Sequence, residues 1–135
     1  MFILRDLIVI QLSGTDHINR IKAVKPYTRI EIYKRLCVAK DLIEYCYMEQ
    51  SNLEVLSNAS CLSIPQLIRQ FKSAFHRTPH QYLIQVRLTR ALELLRQICK
   101  PVHEITWMCG FENVSAFSRA FKSEYGMQPA QYRKS

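Results

Sequence analysis

The sequence predicts an all-α protein, with two helix-turn-helix units joined by a long connecting helix. Three observations predict it. Glycine is scarce, with 3 residues in 135, and apolar residues recur mostly at three- and four-residue steps, the spacing of one helix face. Four places carry Ser or Thr followed three residues later by Glu or Gln, the pattern of a helix-capping box. Two stretches, 53–75 and 102–122, each read as helix, tight turn, helix.

Taken in order, residues 1–27 are mixed. The apolar run 2–12 fits a strand or a helix, Ser13-Gly14-Thr15-Asp16 is a turn signal, and the stretch to Tyr27 is basic, with Pro26 ending it. It reads as an N-terminal arm or a remnant linker. Residues 28–135 read as the folded domain. Thr28 and Glu31 form the first box and predict a supporting helix to about Glu49, with Ile32, Leu36, Ala39, Ile43 and Cys46 as its apolar stripe and Tyr33 at its flank. Ser51 and Glu54 open the first helix of unit one, with Leu53, Leu56 and Ala59 inward. A turn at 60–63 follows. Ser63 and Gln66 then start the second helix, with Pro65 in the first turn, where no intrahelical amide bond is lost. Leu67, Phe71, Ala74 and Phe75 point inward from it, and Gln66, Arg69, Gln70 and Ser73 lie on other faces.

Thr78 and Gln81 open a connecting helix over 79–98, decorated by Arg87, Arg90 and Arg96 and stopped by Lys100-Pro101. In unit two, Val102, Ile105 and Met108 form the stripe of the first helix. Gly110 stands where the turn calls for a positive φ. Asn113 caps a second helix carrying Phe117, Ala120 and Phe121 inward, and a last short helix starts at Pro129 and includes Tyr132. The two units share a weak repeat: 68–73 matches 118–123, and Pro79-His80-Gln81-Tyr82 matches Pro129-Ala130-Gln131-Tyr132.

The formal net charge is +8, which points to a polyanionic partner. The excess is concentrated: residues 61–135 hold eleven Lys/Arg against four Asp/Glu, residues 1–60 eight against seven. The five cysteines, Cys37, Cys46, Cys61, Cys99 and Cys109, lack the paired spacing of a disulfide framework or zinc module. They read as reduced thiols of a cytoplasmic protein. No apolar run is long enough to span a membrane, and the N-terminus lacks a signal-peptide pattern. His17, His76, His80 and His103 are scattered, with no nucleophile-base grouping and no phosphate-binding glycine loop, so an enzyme is not expected. Cys99, His103 and Cys109 fit no standard zinc spacing, so neither a metal nor a cofactor is expected.

Basic charge on two helix-turn-helix units points to double-stranded DNA. A helix fits the major groove, and successive grooves on one face lie about 34 Å apart. A connecting helix of about 20 residues spans roughly 30 Å. Arg69 can bridge guanine O6 and N7, and Gln66 can pair with adenine. Arg119 is the matching arginine of unit two, with Ser115 and Ser118 as small donor-acceptors and Val114 and Ala116 able to meet thymine methyls. Lys72, Lys122, Arg87 and the helix N-termini suit phosphate, which sets register without carrying sequence. Trp107 reads as core or a packing lid. The rival reading is a helical protein-interaction module, or a regulator without DNA binding that titrates a partner.

Gly110-Phe111-Glu112-Asn113, Phe117-Ser118-Arg119-Ala120-Phe121-Lys122, Tyr125-Gly126-Met127-Gln128-Pro129 and Tyr132-Arg133 closely resemble the signature of the AraC/XylS family of bacterial transcription regulators. Leu62-Ser63, Leu67, Arg69, Phe71-Lys72, Pro79, Gln81-Tyr82 and Arg87-Leu88 continue the resemblance upstream. It implies a seven-helix DNA-binding domain. It places the family's base-reading positions at Pro65, Ile68 and Arg69, and at Val114, Ser115, Ala116, Ser118 and Arg119. It also implies a transcription regulator, activation being the expected direction, with RNA polymerase as a further expected partner. Many members carry an N-terminal sensor or dimerisation domain, for which residues 1–27 are too short. Cys61 stands where glycine is common, and Ser57 and Thr106 where alanine is. Pro65 and Ile68 are poor hydrogen-bond donors, so unit one is expected to read bases more weakly.

Overall fold

A computed structural model of the protein describes residues 26–49 and 52–134. Among them are seven helices and no strand: α1 (Pro26–Tyr45), α2 (Leu53–Ser60), α3 (Ile64–Phe75), α4 (Pro79–Gln97), α5 (Val102–Met108), α6 (Val114–Tyr125) and α7 (Pro129–Lys134). The all-α expectation holds. The expected arm, its apolar run and Ser51 lie outside the described residues, apart from Pro26 and Tyr27. Those two belong to α1, so Pro26 begins a helix rather than ending a linker. Proline fits there because a first-turn residue needs no amide hydrogen. The Thr28–Glu31 box is therefore not a cap. Glu31 instead faces Arg35 one turn on, at 3.4 Å.

The chain forms two compact units, residues 26–45 with 52–82, and residues 46–49 with 83–134. In the first, α1, α2 and α3 pack on one another. Tyr33, Leu36, Ala39 and Ile43 of α1, Leu56 of α2, Leu62, and Leu67, Phe71 and Ala74 of α3 are all buried. The α1 stripe thus starts from Tyr33, placed at its flank by the spacing, and not from the half-buried Ile32. Two further positions correct the pattern. Gln70 is buried rather than outward. On α2 the inner position is Ser60, whose Oγ donates to the Leu56 carbonyl at 2.7 Å, while Ala59 is exposed. A hydroxyl bonded back to its own helix enters a core without an orphan polar group, which apolar periodicity does not register.

The caps explain where the helices start. Asn52, not Ser51, caps α2, its side chain accepting from the Glu54 amide at 2.8 Å. Ser63 and Gln66 form the expected reciprocal box on α3. Thr78 and Gln81 do the same on α4, at 3.0 and 3.2 Å. Asn113 caps α6, accepting from the Ala116 amide at 2.7 Å.

In the second unit Leu88, Ala91, Leu94, Leu95, Ile105, Cys109, Phe111, Phe117 and Phe121 form the core, with Val102 and Met108 partly buried against it. Burial raises the Cys109 thiol to about 11. Cys99 is exposed, and no group of metal-ligating side chains occurs among the described residues.

The weak sequence repeat is a geometric one. Phe71 meets Phe75 edge-on at 4.8 Å and Tyr82 at 5.8 Å; Phe121 meets Tyr125 at 4.8 Å and Tyr132 at 5.8 Å. The copies differ at their sharp corners. The second unit uses Gly110 (φ 87°) and Gly126 (φ 77°), the first Cys61 (φ 58°) and His76 (φ 62°). A side chain in the left-handed region costs about 1–2 kcal/mol, partly offset by the greater unfolded freedom of glycine. Cys61→Gly is therefore expected to stabilise the protein by about 0.5–1 kcal/mol, measured as a rise in the urea midpoint. A lower midpoint would show that the Cys61 side chain makes contacts worth more than its strain.

Candidate nucleic-acid interface

Each candidate reading helix, α3 and α6, follows a tight turn that fixes its entry angle. In the first unit the Cys61 amide donates to the Ser57 carbonyl and the Leu62 amide to the same oxygen at 3.3 Å. The Ser57 hydroxyl donates to the Leu62 carbonyl. In the second unit the Phe111 amide donates to the Thr106 carbonyl at 3.2 Å, and the Thr106 hydroxyl reaches back to the Val102 carbonyl at 2.9 Å. Ser57 and Thr106 thus tie the turn or its helix through their hydroxyls.

On α3, Pro65, Gln66, Arg69 and Lys72 are exposed, and Ile68 is half-buried. The Gln66 carboxamide oxygen accepts from both the Ser63 amide, at 3.2 Å, and the Ser63 hydroxyl, at 3.0 Å. A bidentate pair with adenine needs that oxygen as acceptor, so Gln66 as placed has only its NH₂ to offer. Proline at the second helical position also removes an amide hydrogen from the helix N-terminus.

On α6, Val114, Ser115, Arg119 and Lys122 are exposed, with Ala116 and Ser118 half-buried. Arg119 Nε donates to the Ser115 carbonyl at 3.4 Å. That contact steadies the side chain and leaves both Nη groups as a fork. Asn113 takes the Ala116 amide, and the Val114 and Ser115 amides remain at the positive end of the helix. Among the described residues no carboxylate is ion-paired with Arg69 or Arg119.

Two expectations are corrected. Arg87 is no phosphate contact. It is 7% exposed, its Nε donates to the Tyr47 carbonyl at 2.7 Å and an Nη to the Glu49 carbonyl at 3.0 Å, and it lies over the Phe111 ring. Burial lowers its pKa from the ordinary guanidinium value, with Glu112 opposing. The spacing put Arg87 on a decorated face because a cation was assumed to seek water; here two backbone carbonyls replace it. Trp107 is not core: it is 63% exposed. It falls outside the Val102–Ile105–Met108 stripe, so the periodicity already held the signal.

A family model described as a helix-turn-helix domain matches residues 56–135. A solved relative, the C-terminal domain of the two-component response regulator YesN from Fusobacterium nucleatum, is 36% identical, with a TM-score of 0.66 over 70% of this chain and 93% of that one. The chain belongs to the AraC-type helix-turn-helix family. Similar AraC-type structures include the DNA-binding domain of AdpA in complex with a target DNA, 29% identical, TM-score 0.69, covering 73% of this chain and 89% of that domain. Among curated proteins, the probable transcriptional regulator LumQ of Photobacterium leiognathi is 36% identical over 91 residues, which is 67% of this chain and 37% of LumQ. The chain thus spans well under half of that relative. The AraC-type family is one of DNA-binding transcription regulators, not enzymes. No helix among the described residues is long and apolar enough to cross a membrane.

Proposed function

We propose that this AraC-type domain reads double-stranded DNA sequence-specifically, placing α3 and α6 in adjacent major grooves, and that α6 supplies most of the base discrimination. The observation that carries the reading is the exposed row Val114, Ser115, Arg119 and Lys122 on α6, headed by two N-terminal amides. On α3 the matching row has a committed Gln66, a proline at Pro65 and a half-buried Ile68, so Arg69 is its chief base contact. Lys72 and Lys122 contact phosphate. Ala116 and Ser118 complete the α6 surface toward the bases. RNA polymerase is its further proposed partner, inside the cytoplasm.

The test is a selected-site binding experiment at several salt concentrations. Arg119→Ala is expected to lower discrimination between selected and random duplex by about 2–3 kcal/mol and Arg69→Ala by about 1–2. Lys72→Ala and Lys122→Ala are expected to weaken both duplexes alike and to reduce the salt slope by about one each. Equal loss on both duplexes for the two arginine variants would overturn their base-reading role. Salt-independent binding, or none, would favour a protein-interaction module. A footprint covering one groove only would overturn the two-groove reading.

A further inference from the structure

The two units share an aromatic corner but complete it differently. In the first, Lys40 Nζ lies 5.9 Å from the Tyr82 ring centroid, and the Tyr82 hydroxyl donates to the Glu44 carboxylate. The chain itself supplies both a cation and an anion to that corner. In the second, the Arg96 guanidinium carbon lies 5.5 Å from the Tyr132 ring centroid, and the hydroxyl accepts from Arg96 Nε. The carboxylate has no counterpart: among the described residues none is ion-paired with Arg96 or Arg133.

What remains is a prepared cationic cleft. The ring and the hydroxyl hold Arg96 in place, so its two Nη groups form a fixed planar fork, the geometry that matches a carboxylate. Arg133 is anchored beside it on carbonyls at and just past the end of α4, with Nε on Leu95 at 3.5 Å, one Nη on Ile98 at 3.1 Å and the other on Lys100, so Arg96 is the cation left open to a ligand. Leu95, Arg96, Tyr132 and Arg133 line an open cleft of about 500 Å³. Its position separates it from the DNA-reading surface. Tyr132 packs on Phe121, the fully buried side of α6, and residues 119 and 121 point about 200° apart on a helix. The cleft therefore lies behind α6.

We propose that this cleft docks a carboxylate side chain of an acidic protein partner, which takes the place that Glu44 fills in the first unit. The test is a nuclear magnetic resonance titration of the protein with hexaglutamate, with duplex binding measured separately. Shifts are expected at the Arg96 Nε–H and at the amides of Leu95, Arg96, Tyr132 and Arg133. Arg96→Ala, on an exposed position, is expected to weaken those shifts about tenfold, and Tyr132→Phe, which keeps the ring, about two- to fivefold. Duplex affinity should stay within about twofold in both variants. Shifts confined to α3 and α6, or an unchanged titration in Arg96→Ala, would overturn the proposal. So would a loss of duplex affinity in Arg96→Ala resembling that of Arg119→Ala, which would assign the cleft to DNA phosphate.

Discussion

Gly110→Ala is expected to destabilise the protein by about 3 kcal/mol, the sum of a strained dihedral and a backbone collision. The residue sits at φ 87°, and an added Cβ would stand 2.8 Å from the Tyr47 carbonyl oxygen and 3.0 Å from the Met48 Cα. Both obstacles are main chain, so no rotamer change relieves them. Gly126 provides the control. Its φ is 77°, but nothing lies within 4 Å of its would-be Cβ, so Gly126→Ala should cost only about 1 kcal/mol. Urea unfolding of the two variants separates conformation from contact. Equal losses would show that the segment at residues 47–48 yields to the new methyl group.

The second large effect is expected at Arg87. Truncation to alanine removes a buried side chain and strips two carbonyls of a charged donor, a cost of about 2–4 kcal/mol. Arg87→Lys should recover only part of it, because one ammonium on a flexible stem replaces a planar fork that meets Tyr47 and Glu49 together. The urea midpoint should fall while the salt slope of duplex binding by the folded fraction stays unchanged. A slope reduced by about one with an unmoved midpoint would return Arg87 to the phosphate contacts.

These two positions mark what the sequence made legible and what it did not. Gly110 was readable because a glycine between two amphipathic segments has one economical use, a left-handed corner. Its second role, admitting residues 47–48, comes from a contact across more than sixty positions that no local pattern encodes. Helix order, three of the caps and the aromatic repeat were likewise legible, since each rests on spacings of three or four residues. Arg87 and Gln70 were misread for one shared reason: polar side chains were assigned outward, and both are buried. Ser60 was read as part of the turn, and it is instead the buried last residue of α2, its hydroxyl bonded to backbone oxygen. On the proposed reading face of α3, sequence could nominate Gln66 but not show that Ser63 holds its oxygen. On α6 the row Val114, Ser115, Arg119 and Lys122 lies exposed at the spacing read from the sequence, with Arg119 only lightly held by the Ser115 carbonyl.

The Arg87 grip on residues 47 and 49 bears on how the protein is cut for study. The family match starts at residue 56, an inviting place to begin an expression fragment. A fragment begun there discards both acceptor carbonyls and leaves a guanidinium facing a gap beside Gly110. The second unit is completed by a short strip of chain that leaves the ribosome before the first unit's α2 and α3. A soluble, well-ordered fragment should therefore start no later than the beginning of α1.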